Sequence, residues 1–500
     1  MSRLQISVLY PRKFSTFRIF FLEEEKILSI HTDIRAYLLV IFLLLFRGFT
    51  GYAQLSQEKA LEDFQFLRSR IHEIHPHPYL YQSQEAEEKL FKKLEASVLE
   101  GMDPKEFFQL ISTYTTSFQD GHTYPSFEYL SQYFRTSLEN GNTYMPIEID
   151  FKADRFYIKD VYEDSLRPMK GAFLVSINDI AADSLIQAFQ QYYAKKASLY
   201  DNAHTRLFRE MFALSFGGHA YWRIVYQRPG APSTEILVSG LSGKKFIEKQ
   251  SSSQGDMQGN KKQMYEFDFA LGDSIGILTI RAMGDLPRFT QFAKEVFRSL
   301  EEKQSPYLII DIRENGGGSS AIGDELYAYL SNEPYYPGKM YAKISEPIME
   351  WYKRERQGHP LYDEVLTCPV GEFIETPESY REQPKAVEYP YKGTSFLLMG
   401  PKTYSSGHMF AGLFKCHEIG TAVGQATGQA TKTVGDSFFF RLPNSGIGIN
   451  VSYKIFEGPC EGSFSQGFSP HINISYSSED LKRGVDKEVE WVKNYIQNQH

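Results

Sequence analysis

The sequence predicts a multidomain α/β protein: a helical N-terminal region, a β-rich middle and an α/β core. Three observations carry this reading. Apolar residues fall at helical spacing between Leu55 and Phe118. From about Tyr144 to Gly240, apolar and polar residues alternate as in half-buried strands. Beyond that, strand, glycine loop and helix occur in order twice, in YLIIDIRENGGGSSAIGDELYAYL and in SFLLMGPKTYSSGHMFAGLFK.

The N-terminus reads as an export signal. AYLLVIFLLLF (Ala36–Phe46) is an apolar run too short to span a bilayer comfortably. Arg35 precedes it, and Gly51 and Ala53 fit the small residues of a cleavage site, with cutting after Ala53. Residues 1–53 are thus an N-terminal extension and signal peptide. No stable membrane span is expected after its removal. Export with three cysteines (Cys368, Cys416, Cys460) suggests a bacterial periplasm or cell surface. Their wide spacing has no zinc pattern and allows at most one disulfide. All three are read as small buried hydrophobes.

Residues 54–130 form the helical region. Leu61, Phe64, Leu67, Ile71 and Ile74 share one face of a first helix, which the prolines of HPHPY (His75–Tyr79) end. A second helix runs through EAEEKLFKKLEASVLEG. A third starts at Asp103-Pro104 and ends at DGHT, Asp120–Thr123. Residues 140–245 follow as the β-rich part. Its KGAFLVSINDIAADSLIQAF gives glycine, short strand, Asn-Asp turn and helix, an order that resembles the ligand-groove region of a PDZ domain. Residues 251–263 read as a linker. The α/β core spans 264–490, and a segment rich in Pro, Tyr and Glu (335–392) interrupts it. A segment that long is often a lid or a binding insertion.

The net charge of -8 over 500 residues leaves no basic stripe, which argues against a nucleic-acid partner. The chemistry lies in short motifs. In DIRENGGG (Asp311–Gly318), three glycines after a buried strand let backbone N–H groups approach a ligand. The Lys-Ser/Thr of a phosphate loop is absent, which leaves an oxyanion hole as the other use. In GPKTYSSGHMFAG (Gly400–Gly412), Ser405 or Ser406 sits at a strand-to-helix junction suited to a nucleophile. If Ser405 attacks, the Ser406 amide faces the developing oxyanion. A serine needs a base. His122, at the end of an amphipathic helix, and His408, three residues after Ser405, are the candidates.

DIRENGGG, TYSSG, the later GQATG and LPNSG, and the upstream DGHT resemble a secreted serine peptidase family. It includes the tail-specific (C-terminal processing) proteases and the tricorn core protease. The resemblance extends from Leu55 to about Tyr476. It implies a ClpP/crotonase-like core behind a PDZ-like domain, a peptide or protein substrate, and neither metal nor organic cofactor. It places the nucleophile at Ser405, and the oxyanion donors at the Ser406 amide and a glycine amide of Gly316–Gly318, namely Gly317 or Gly318. The tail-specific branch resembles a Ser/Lys dyad, for which Lys432 is the nearest lysine here. The tricorn-like branch uses a histidine in a Gly/Ser-His-Thr motif, which His122 matches. That branch implies an orienting glutamate, with Glu461 first and Glu457 as alternate. Three positions depart from the family pattern: His408 stands where a glutamate is usual, Pro470-His471-Ile472 where Pro-Asp-Ile is usual, and Gly121 replaces a serine. A non-catalytic peptide-binding protein on the same scaffold is the second reading, against which the presence of both Ser405 and His122 argues.

Overall fold

The computed structural model describes residues 55–152, 155–192, 207–246, 263–460, 462–476, 480 and 485–498. The apolar run Ala36–Phe46, the cleavage point after Ala53, the polar stretch at 251–262 and Glu461 lie outside the described residues. No helix among the described residues is long and apolar enough to cross a membrane.

Three helices come first: α1 (Gln57–Ile74), α2 (Gln84–Glu95) and α3 (Pro104–Thr116). Each starts where a side chain accepts an otherwise orphaned amide: Ser56 from Lys59, Ser83 from Ala86, and Asp103 from Lys105, with Glu106 closing a capping box. Phe64, Leu67, Ile71 and Ile74 of α1 are buried, as their spacing predicts. The turn after α1 is held by Lys343, whose Nζ donates to the carbonyls of His72 and His75. Strand β1 (Tyr124–Pro125) follows DGHT, and α4 (Glu128–Glu139) follows it.

The middle region is an antiparallel sheet of β2 (Ile147–Lys152), β3 (Arg155–Val161), β4 (Phe173–Ile177), β5 (Tyr221–Gln227) and β6 (Ser233–Ser239), in that order. Helices α5 (Ala182–Phe189) and α6 (Phe208–Phe216) lie between β4 and β5 in the chain. The Asn-Asp pair of the sequence is a tight turn: Asn178 and Asp179 both take positive φ, 48° and 66°, as a two-residue hairpin demands.

The core starts with β7 (Tyr265–Ala270), β8 (Ile275–Ile280), α7 (Leu286–Glu302), β9 (Tyr307–Asp311) and α8 (Ala321–Leu330). The 335–392 segment comes next and is built rather than loose. It holds β10 (Lys339–Lys343), α9 (Glu346–Glu355), α10 (Tyr362–Thr367) and β11 (Phe373–Glu375). Then come β12 (Thr394–Met399), α11 (Ser406–Cys416), β13 (Thr421–Gly424), β14 (Lys432–Arg441), β15 (Gly448–Glu457), β16 (Ile472–Asn473) and α12 (Lys487–Gln497).

One core sheet runs β7-β8-β9-β12-β13-β16, parallel from β8 onward, with β7 antiparallel on its edge. Parallel strands bury both faces, and the pleat divides them. Leu308, Ile310, Leu397 and Met399 pack with Phe297, Leu326, Phe410 and Phe414 of α7, α8 and α11. Ile309, Phe396 and Leu398 pack on the other side with Val492 and Ile496 of α12. Each such side chain contributes roughly 1.5–3 kcal/mol by leaving water.

In the second core sheet β15 is central. β14 pairs along one edge. The other edge is shared: β1 pairs at Ile449–Asn450 and β10 at Lys454–Glu457. A strand from the helical region and a strand from the insertion are thus built into the core, one after the other along the same edge of β15.

Candidate active site

Ser405 caps α11 at the C-terminal end of β12, with φ 52° and ψ -125°. A serine in this region costs on the order of 1–3 kcal/mol and persists only where neighbours enforce it. Two neighbours do. Ser405 N–H donates to Gln429 Oε1 at 2.7 Å, and Tyr404 N–H donates to the Asn315 carbonyl at 2.9 Å. Asn315 is fully buried. Its Nδ2 donates to the Ile280 carbonyl and its Oδ1 accepts the Gly317 N–H at 2.9 Å, so it ties the glycine loop to the serine turn.

The loop approaches so closely that a Cβ on Gly317 would sit 2.5 Å from Ser405 Cβ, and one on Gly318 2.1 Å from the Met283 carbonyl oxygen. Both glycines also take positive φ, 102° and 137°. This divides the expected oxyanion donors. The Gly317 amide is committed to Asn315, so the expectation of a free donor there is corrected. The amides of Gly318 and of Ser406, the latter at the open first turn of α11, have no acceptor among the described residues. Ser406 Oγ donates to the Gly318 carbonyl at 2.7 Å, which holds the two segments together.

His122 reaches the same cleft because β1 and Thr123 fix DGHT onto β15. Thr123 Oγ1 accepts the Ser452 amide, and Tyr124 pairs with Asn450. The His122 ring stacks on Tyr404, with centroids 5.4 Å apart. Ser405 and His122 both line a cleft of ≈ 560 Å³, without a hydrogen bond between them among the described residues. The insertion lines it too, through Lys339, Met340, Arg356 and His359.

Asp120 is the group that the reading of the sequence missed. It is 3% exposed, accepts the His122 and Thr123 donors at 2.9 and 2.5 Å, and lies 3.9 Å from His122 Nδ1. His75 Nε2 faces its other oxygen at 3.3 Å. Because His75 Nδ1 accepts the His77 amide, the His75 proton sits on Nε2, toward Asp120. Burial pushes the Asp120 carboxyl up, but hydrogen bonding and charge from His75, with His122 and Ser452 adding, hold it well below the usual carboxylate range. The sequence signal is the Asp-x-His spacing in DGHT, of which the resemblance uses only the Gly-His-Thr part.

The other candidates lie elsewhere in the cleft. Glu457 pairs with Lys432 at 3.1 Å, so each engages the other rather than His122 or Ser405. Glu461 is outside the described residues. His408 does not serve as base to Ser405: its Nδ1 meets Thr427 Oγ1 at 2.9 Å and its ring lies on Phe468. Burial holds its pKa down to about 3. The unfolded chain takes a proton at this histidine below about pH 6.5 and the folded chain only near 3, so folding stability falls as pH drops through that window. In His408→Gln the fall should be shallower. Denaturant midpoints of both proteins between pH 7 and 4 measure this, and parallel curves would contradict it.

The cysteines were expected to be buried hydrophobes. Instead Cys416, at the end of α11, is disulfide-bonded to Cys460, and Cys368 is free. The bond anchors a loop that zips onto the segment between Gln429 and the start of β14: Gly458 and Ser463 amides donate to Thr431, and the Thr431 and Lys432 amides donate back to the Gln466 and Ser463 carbonyls. Closing a 44-residue separation is worth about 4 kcal/mol on the chain-entropy account. Cys460→Ser should therefore melt several degrees lower than the oxidised wild type in a calorimeter. An unchanged Tm would refute that.

Residues 274–474 match the family model "Peptidase family S41". The chain carries a peptidase family S41 domain. The match runs from β8 through β16 and includes the glycine loop and the serine turn, while β1, β7 and His122 lie before it. Among solved structures, the chain is similar to mature CPAF complexed with lactacystin, at 16% identity and TM-score 0.62, covering 88% of this chain and 98% of that one. It is similar to mature CPAF alone at 16% identity and TM-score 0.59, covering 85% and 94%. The photosystem II D1 C-terminal processing protease is a more distant match, at 14% identity and TM-score 0.42, covering 86% and 98%. At these identities the likeness is one of fold. No curated protein matches the chain by sequence.

Proposed function

We propose that this serine-type peptidase cleaves peptide bonds with Ser405 as nucleophile and His122 as general base. The observation that carries the proposal is the strained Ser405 turn, with unengaged Gly318 and Ser406 amides beside it and His122 in the same cleft. His122 Nδ1 faces Asp120, which leaves Nε2 to take the Ser405 proton. The tetrahedral oxyanion then receives the two amides, each such donor being worth about 10²–10³ in rate. His122 returns the proton to the leaving amine, and water hydrolyses the acyl-enzyme by the same route. Asp120 orients the imidazole and stabilises its charged form.

The β2–β6 sheet is assigned as a PDZ-like module that captures a peptide strand or carboxyl terminus by β-augmentation. The protein is assigned to the periplasm or cell surface, which the Cys416–Cys460 disulfide favours.

The test uses the chain from Gln54, wild type beside Ser405→Ala, incubated with a diverse peptide mixture, with new termini read by mass spectrometry. Cleavage by the wild type alone is expected. Equal cleavage by both would move the nucleophile elsewhere. Binding without cleavage by either would favour a peptide-binding scaffold.

A further inference from the structure

His408 has a structural reason to face substrate. It is the third residue of α11, one turn from Ser405, and is 3% exposed. Two of its contacts are fixed by side chains. One ring face lies on Phe468 at 4.8 Å between centroids. Its Nδ1 meets Thr427 Oγ1, which already accepts the Phe468 amide at 2.9 Å. The Thr427 hydroxyl proton has no other acceptor among the described residues, so it goes to His408 Nδ1. The imidazole proton is therefore on Nε2. That atom has no partner among the described residues, yet is not among the buried unpaired atoms, and His408 lines the same cleft as Ser405. A tautomer locked by the protein thus presents one uncharged donor to the cleft, between the apolar walls of Phe468 and Met409.

We infer that His408 Nε2–H is a specificity-determining donor that selects substrates with an uncharged acceptor, the carboxamide oxygen of Asn or Gln, next to the scissile bond. The inference rests on the peptidase reading of this cleft. A carboxamide fits better than a carboxylate, because a neutral donor does not offset the desolvation of a full charge. The low pKa set by burial keeps the donor uncharged at working pH. A site built to hydrogen-bond a polar group rejects an apolar analogue strongly, since its own donor is then left unpaired.

The experiment measures binding and cleavage separately. In the Ser405→Ala background, fluorescence anisotropy ranks matched peptides that carry Gln, Asn, Glu, Asp, Leu or Met at each position flanking the bond cut by the wild type, or at each position in turn where no cut is found. The Ser405→Ala protein should bind the best carboxamide peptide ten- to a hundredfold tighter than its Leu match. Adding His408→Phe should erase that ratio, and adding His408→Gln, whose amide nitrogen falls near the Nε2 position, should restore part of it. The same ratios should appear in kcat/KM for the Ser405-containing proteins. An unchanged ranking in the His408→Phe background overturns the inference whether or not the wild type cleaves, as does a preference for Glu or Asp. Loss of cleavage with the binding ratios intact overturns the peptidase reading instead.

Discussion

Ser405→Ala, His122→Ala and the double variant should each lose on the order of 10⁴–10⁶ in kcat, and the double should lose no more than either single. The reason is mechanistic. A serine hydroxyl without its base, and a base without its hydroxyl, both leave only the oxyanion donors and substrate binding. The two side chains therefore act as one unit and their deletions do not add. In all three variants the Gly318 and Ser406 amides are untouched, so residual cleavage above the uncatalysed rate should persist. Lys432→Ala is the contrasting case. Its ammonium is paired with Glu457 and stands over the ring of Phe464 at 5.4 Å, so its removal should change kcat by less than about tenfold. Single-turnover kinetics on a peptide from the wild-type cleavage set would measure all four. If Lys432→Ala were as damaging as Ser405→Ala and His122→Ala were mild, the base would be the lysine.

Whether a feature was legible in the sequence depends on how local its cause is. The Ser405 turn was readable because an apolar strand, two serines and a glycine-containing helix start lie within one stretch. The glycine loop was readable for the same reason. What escaped was the set of polar side chains whose partners are distant in the chain. Asn315 is one letter beside three conspicuous glycines, and its role depends on Ile280 and Tyr404. Gln429 directly follows GQATG, and nothing nearby announces that it accepts the Ser405 amide. The cysteine pairing escaped because Cys460 is brought to α11 only by the loop that zips onto Thr431. The insertion at 335–392 was seen by its length, but its strands were not. β10 is short, and the edge of β15 that it completes lies more than a hundred residues on. Asp120 was visible two residues before His122 and was passed over, because burial, which turns a helix-end carboxylate into a charged partner of two histidines, has no one-dimensional signature.

Asp120→Asn should lower kcat on the order of 10³–10⁴ with little change in KM. The carboxamide keeps the size of the carboxylate, but its single oxygen keeps only one of the two donors, the His122 amide at the Oδ1 position or the Thr123 hydroxyl at the Oδ2 position. It places a neutral NH₂ toward either His75 Nε2–H or His122 Nδ1. Toward His75, two donors confront each other in a buried site; toward His122, the amide holds the wrong tautomer. Either way the imidazolium formed during acylation loses its counter-charge. Stability carries a second signature. The Asp120 carboxyl is depressed in the folded state, so its contribution is full above the ordinary carboxylate pKa of about 4 and is lost as pH falls toward the lower folded value. Wild-type stability should fall more steeply below about pH 4 than that of Asp120→Asn, as urea midpoints across pH 3–6 would reveal. The orienting role has two rivals, Glu457 and Glu461. Glu457→Gln and Glu461→Gln should each cost less than about tenfold in kcat, because the His122 Nδ1 edge already has Asp120 at 3.9 Å. If either glutamine variant lost on the order of 10³–10⁴ in kcat while Asp120→Asn kept near-wild-type kcat, Asp120 would be a structural carboxylate that only pins the DGHT turn. The orienting charge would then come from that glutamate.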